Sequence, residues 1–391
     1  MSVFHLKRFP KVVFGEGAYK ELPELISHFG NKALIITMRD LFEIHLMDPV
    51  LDLLKESDID FKIYKDAKPE PKIENYKEAI DFVRSESFDV IIAFGGGSVI
   101  DFAKGLSIVA RHDQSIWDYV NLSNKPPAEI YSDKLLPVIA IPTTSGTGSE
   151  VTPYSVVINQ DTEQEGTIKD ELIIPKAAIV DPSFTIALPK EWTAITGLDA
   201  FAHALESLFN KENRTDYSDL IAMEAIRNIV QYLPLAFNDG KNIVAREKVA
   251  YGATLAGMAI SLAGTTVCHA LVHPTDARFG IPHGKSVSIY TTAVLRHTLP
   301  NGIDIFNKVI PIFNPQYEVS NKVSSISKGL NFIEEFIAQF NLDLRLSDYG
   351  INKKESDVIL RDALGYMFRP IRQHEVIFDE KDLKKIIADC F

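Results

Sequence analysis

The feature that most limits the fold is an alternation that stops partway along the chain. Up to about Asp181, short runs of β-forming residues are separated by amphipathic helical patterns. "ALIIT" (33–37), "FKIYKDA", "DVIIAF" and "LPVIAIP" read as strands; "MDPVLDLLKES", "YKEAIDFVRSE" and "GGGSVIDFAKGLSIVA" read as helices. Such βαβ units predict a parallel sheet. After "AAIVDPSFTIALPKEW", which carries Pro182 and Pro189, strand signals nearly vanish and helical periodicity continues to the C-terminus. The expectation is an α/β domain over residues 1–182 and an all-α domain over 183–391. A chain of 391 residues also exceeds what one hydrophobic core ordinarily supports.

The net charge of −12 argues against nucleic acid, because affinity for phosphate backbones comes from clustered Lys and Arg. The two cysteines, Cys268 and Cys390, form neither a disulfide framework nor a CxxC pair, which fits a reducing compartment. "MSVFHLKRFP" lacks the apolar core of a signal peptide, and no apolar run is long enough to cross a bilayer. A cytoplasmic protein with no membrane partner is expected. The one low-complexity stretch is the short loop "NLSNKPPAE".

Two glycine-rich turns follow strands. In "DVIIAFGGGSVIDFAK", Gly95, Gly96, Gly97 and Ser98 open a helix, where bare N–H groups and the positive helix end suit an anion; a tight turn with a helix cap satisfies the same residues. "IPTTSGTGSE" supplies hydroxyls and glycines after a second strand, and it too reads alternatively as a polar loop. Two such loops on strands that could be neighbours favour a nucleotide at the carboxyl ends of the sheet.

The helical half contains "GLDAFAHALESL", where Asp199, His203 and Glu206 share one stripe of an apolar helix. An isolated DxxxH is compatible with a helix-start aspartate and a satisfied core histidine. "CHALVHPTDARFGIPHG" adds His269, His273 and His283, the first two on one helix face and the third in a turn. Imidazoles plus a carboxylate suit one divalent ion such as Fe²⁺ or Zn²⁺, which would hold the stripe together. A histidine near such an ion can instead carry protons.

With the glycine turn, TTSGTGSE, the DAxxH helix and the two histidine clusters in this order, the chain resembles the iron-dependent (group III metal-dependent) alcohol dehydrogenases from "FPKVVFGEG" to "DEKDLKKIIADCF". The resemblance implies a Rossmann-like nucleotide-binding domain and an all-α domain of dehydroquinate synthase-like architecture, in a protein that is commonly a homodimer. It implies NAD or NADP as cofactor and one divalent ion held by Asp199, His203, His269 and His283. Gly95, Gly96, Gly97, Ser98 and Asp101 match the pyrophosphate turn, and Thr143, Thr144 and Thr147 the second cofactor loop. His273 matches a histidine outside the ligand set and is the candidate for the proton path in hydride transfer between nicotinamide and an aldehyde or alcohol.

Two departures bear on specificity. Many NAD-preferring relatives carry aspartate where "IITMRD" has Met38, and the following Arg39 could pair with a 2′-phosphate or simply face solvent. "HPTDARFG" replaces the more usual "HPLGA", and Arg278, with Arg369 and Arg372 of "MFRPIRQHE", is suited to gripping a sulfonate, phosphonate or carboxylate. A short aldehyde bearing an anionic group, such as sulfoacetaldehyde, is one expected substrate; structural salt bridges, for example Asp276 with Arg278, are the alternative. A dehydroquinate-synthase-like lyase shares the architecture but needs a denser Lys and Arg set, and an inactive scaffold would have no use for an intact ligand set.

Overall fold

Strands buried on both faces need apolar residues at every position, and the central runs here supply them. In a computed structural model describing residues 9–122 and 126–391, six strands form a wholly parallel sheet. They are β1 (Lys11–Phe14), β2 (Lys32–Ile36), β3 (Asp60–Tyr64), β4 (Val90–Gly95), β5 (Val138–Pro142) and β8 (Ala177–Val180), in the order β1-β8-β5-β4-β2-β3. A separate antiparallel pair is made by β6 (Tyr154–Asn159) and β7 (Gln164–Lys169). Residues 1–8, and Ser123–Lys125 within the loop "NLSNKPPAE", lie outside the described residues.

Alternation along β2 and β4 divides the core in two. Leu34, Ile36, Ile91 and Ala93 pack on one face with Tyr76, Ala79 and Val83 of α4 (Ile73–Arg84) and Phe102 and Leu106 of α5 (Gly97–Val109). Ala33, Ile35, Val90 and Ile92 pack on the other with α1 (Leu22–Ser27) and α3 (Asp48–Glu56), while the short α2 (Arg39–Glu43) follows β2. The sequence reading found β2 to β5 but missed β1, β8 and the β6–β7 pair. Lys11–Phe14 and Ala177–Val180 are four residues each, too short for a periodic signal, and β7, "QEGTIK", is polar.

One buried cation ties α5 to the segment beyond β5. Lys104 is fully buried, and its ammonium donates to Ser149 Oγ at 2.8 Å, Thr152 O at 3.0 Å and Tyr154 O at 2.7 Å. Asp101, one turn earlier, accepts from Ser149 Oγ and, at 2.9 Å, from the Val156 N–H. Burial lowers the Lys104 pKa to about 8, against the opposing pull of Asp101 and Glu150.

The chain divides into two compact units, one running to Leu188 with Lys241–Ala250 added, the other comprising Pro189–Gly240 and Tyr251–Phe391. Beyond β8 come α6 (Lys190–Leu208), α7 (Asp216–Asn238), α8 (Ile243–Ala263), α9 (Val267–Phe279) and α10 (His283–Thr298). The remainder is α11 (Ile303–Phe313), α12 (Val323–Ala338), α13 (Ser356–Tyr366), α14 (Phe368–Gln373) and α15 (Glu380–Ala388). Among the described residues no sheet strand follows β8, and no single helix is long and apolar enough to cross a membrane.

Two details of backbone geometry position α10. Gly280, at φ 64°, ends α9 in the left-handed region, and Pro282, two residues later, immediately precedes α10. Gly284 then lets the first turn of α10 lie against α6, since a Cβ there would sit 2.4 Å from the Ile195 carbonyl oxygen.

Gly284→Ala is therefore expected to push α10 away from α6 at a cost of about 1–3 kcal/mol, measured by denaturant unfolding. Lys104→Met leaves buried acceptors without a donor and should cost about 1–3 kcal/mol. Between pH 8 and 10.5 the unfolded chain holds a proton that folded Lys104 has released, so the wild type should gain stability with rising pH relative to the Met variant.

Candidate functional site

The apolar interior of the helical unit encloses an unusual polar group. Asp199 and His203, four residues apart on α6, project from one face, and both are buried. The Asp199 Oδ1 atom lies 3.7 Å from His203 Nε2 and 3.9 Å from His283 Nε2. His269, on α9, stacks on His203 with ring centroids 4.7 Å apart. One ligand atom from each of Asp199, His203, His269 and His283 falls within 4.8 Å of the others.

That spacing is too long for hydrogen bonds and suits donors arranged around a cation. Asp199 Oδ1 and His269 Nε2 are buried without a hydrogen-bond partner, which is costly unless a cation takes their lone pairs. Burial, against the pull of Asp199, lowers the His203 pKa to about 4; burial likewise lowers that of His269, opposed by Glu206. Neutral rings with free lone pairs are what metal ligation requires.

Glu206 departs from the expectation that an ion would hold the whole stripe. Seven residues, about 10 Å along the helix axis, separate it from Asp199, and it lies outside the group of four. Its Oε1 atom instead accepts from the Thr266 N–H and hydroxyl, both at 2.9 Å, the Cys268 N–H at 3.0 Å and the His269 N–H at 3.4 Å. These donors belong to the start of α9, so Glu206 caps that helix from a neighbouring one. Its Oε2 atom meets His269 Nδ1. Burial pushes the Glu206 pKa up, but His269 and the Thr266 donors outweigh it and bring it down to about 2.

His273 is buried on α9 outside the group of four, its ring centroid 6.1 Å from that of His283. Arg278 is held by Asp362, its Nε donating to Oδ2 at 2.5 Å. Arg369 and Arg372 are exposed on α14, with the Arg372 guanidinium 4.4 Å from the ring centroid of Phe368. The geometry thus gathers the metal candidates but engages Arg278 with a carboxylate.

In the α/β unit, the register pairing Gly95 with Pro142 makes the two glycine-rich loops leave the sheet side by side. Thr143 N–H donates to Gly95 O at 3.0 Å. A Cβ on Gly97 would lie 2.4 Å from Thr147 Cγ2, and one on Gly96 3.2 Å from Thr144 Cγ2, so the bare backbone is what lets the loops meet. Gly96 precedes α5 and supplies no side-chain cap, leaving the helix's first amides for an anion. Ser98 Oγ accepts from the Glu70 N–H at 3.2 Å, and Asp101 is occupied by Ser149 and Val156. Through these bonds Asp101 holds the segment beyond β5 against α5. At the end of β2, Met38 bridges to Asp66, and exposed Arg39 pairs with the same aspartate. Arg39 therefore neither stands alone in solvent nor presents an uncompensated charge.

Comparison with known proteins is consistent across the whole chain. Residues 10–182 match the family model described as iron-containing alcohol dehydrogenase, and 193–390 that of the Fe-containing alcohol dehydrogenase family, C-terminal. The chain is 34% identical over 395 residues to long-chain-alcohol dehydrogenase 1 of Geobacillus thermodenitrificans, covering 100% of this chain and 98% of that protein. It is 31% identical to an NADPH-dependent butanol dehydrogenase of Clostridium saccharobutylicum, covering 97% and 95%. The crystal structure of an archaeal halo-thermophilic Red Sea brine pool alcohol dehydrogenase superposes with a TM-score of 0.93 at 30% identity, covering 100% of both chains. With a parallel-sheet unit, a helical unit and a largely buried Asp–His₃ cluster, the chain belongs to the iron-containing alcohol dehydrogenase family, whose relatives are NAD(P)-dependent oxidoreductases.

Proposed function

We propose that this alcohol dehydrogenase acts on short primary alcohols and their aldehydes, with Asp199, His203, His269 and His283 as ligands of one divalent ion. The observation that carries the reading is the buried, partnerless Asp199 oxygen facing two imidazole Nε2 atoms at 3.7 and 3.9 Å. In such a site a bound ion supplies Lewis-acid polarisation of a carbonyl, and a bound nicotinamide dinucleotide supplies or accepts hydride.

The chain's own residues have separable tasks. The backbone of Gly95–Ser98 and the start of α5 receive the pyrophosphate, and Thr143, Thr144 and Thr147 line the adjoining loop. The apolar packing around α6 and α9 excludes water, which strengthens charge interactions at the centre. His273, buried and outside the ligand set, moves the proton that accompanies hydride transfer. The relatives named above act on neutral alcohols, and the Arg278–Asp362 pair removes net positive charge, so a neutral substrate is favoured over a sulfonated one. Arg369 and Arg372 remain the candidates for gripping an anionic group. The Arg39–Asp66 pair leaves the ribose end compensated and compatible with NADH or NADPH. The functional form is inferred to be a homodimer, as resemblance to the family implies.

With Fe²⁺ or Zn²⁺ loaded, the protein should oxidise NADH or NADPH in the presence of butanal, and a chelator should abolish turnover. His203→Ala should lower kcat/KM about 10³-fold through loss of several kcal/mol of Lewis-acid stabilisation. His273→Ala should lower kcat about 10²-fold with metal content unchanged. Metal-loaded protein that turns over neither cofactor with butanal or sulfoacetaldehyde would overturn the reading.

A further inference from the structure

Two of the three helices that supply the cluster carry polar residues at the same spacing. On α6, Asp199, His203 and Glu206 stand at positions i, i+4 and i+7; on α9, His269, His273 and Asp276 do so. In each case the carboxylate at i+7 reaches a histidine on the next contributing helix. Glu206 meets Nδ1 of His269, and Asp276 Oδ2 accepts from Nδ1 of His283 at 2.8 Å.

We propose that Glu206 and Asp276 are positioning residues that fix the tautomers of His269 and His283, leaving both Nε2 lone pairs directed at the cation. This rests on the reading of the four residues as metal ligands. An ionised carboxylate can only accept, so each Nδ1 must carry the proton and each Nε2 must be bare. The His269 Nε2 atom is indeed buried with no hydrogen-bond partner. His283 Nε2 points to Asp199 Oδ1 at 3.9 Å, a distance that leaves room for an ion between them.

The two carboxylates differ in what else they do. Glu206 also caps α9, whereas Asp276 tethers the least enclosed ligand. The His283 side chain is 30% exposed, against 6% or less for the other three ligands, and it sits on the first residue of α10. A ring at a helix start with that much freedom needs a second contact to hold its plane, and Asp276, itself buried, supplies one. His203 has no such backing: its Nδ1 atom has no hydrogen-bond partner, and its ring is oriented by stacking on His269.

Glu206→Gln separates orientation from folding. The donors from Thr266, Cys268 and His269 surround Oε1, so the amide oxygen of Gln must take that place and its NH₂ must face His269 Nδ1. The cap survives, but Nδ1 becomes an acceptor and the proton moves to Nε2, where it blocks ligation. Co²⁺ affinity of metal-free wild type, Glu206→Gln and Asp276→Ala would be measured by competition with a chromophoric chelator. Histidine ¹⁵N shifts of the metal-free proteins would report the tautomers, and far-UV circular dichroism would check folding. Both variants should stay folded and bind Co²⁺ about 10- to 100-fold more weakly than wild type. His269 should switch to the Nε2–H form in the Gln variant alone. Folded variants with wild-type affinity and an unchanged His269 tautomer would overturn the proposal. Failure of the wild type itself to bind Co²⁺ would instead overturn the metal reading beneath it.

Discussion

The helical unit is organised around a cost that its own side chains do not meet. A carboxylate oxygen and an imidazole nitrogen lie among packed helices with no hydrogen-bond partner, and burying such groups unpaired is worth several kcal/mol against folding. A divalent cation offsets that cost because it takes lone pairs from all the donors at once, where no single hydrogen-bond donor could. The surroundings keep the donors ready. Burial holds His203 and His269 neutral, while His269 and the α9 amides keep Glu206 ionised.

Because the ligands come from three helices, the packing of those helices is part of the chemistry. The Gly280–Pro282 turn ends α9 and leads into α10, and Gly284 allows α10 to approach α6 closely enough for His283 to face Asp199. Glu206 does two jobs with one carboxylate, capping α9 through Oε1 and meeting His269 through Oε2. Helix placement and ligand orientation are thereby coupled.

The α/β unit uses close backbone approach in the same way. The glycine turn and the threonine loop meet because Gly96 and Gly97 have no side chains to separate them from Thr144 and Thr147. Lys104 and Asp101 then anchor that assembly from beneath, each bonded to Ser149. These bonds are what allow charged residues in an otherwise apolar helix. The family resemblance places Asp101 with the nucleotide turn; the fold adds that both its oxygens bond the segment beyond β5.

Local pattern and residue type alone determined a good deal. Alternating strands and helices were legible because strands buried on both faces must be apolar throughout, as in β4 and β5. Asp199 and His203 announced themselves through helical spacing, and the histidine-rich segment after them supplied the remaining donors. The four-residue strands β1 and β8 were not legible because their pairing comes from neighbours distant in the chain, and the hairpin strand β7 was not because its residues are largely polar. The tertiary structure alone decided the partners of each carboxylate and guanidinium. Glu206 stands on the ligand stripe yet serves His269, Asp276 serves His283, and Arg278 is drawn to Asp362. A charged side chain's residue type sets what it can bond, but its partner is whatever the packing of distant helices brings within about 3 Å.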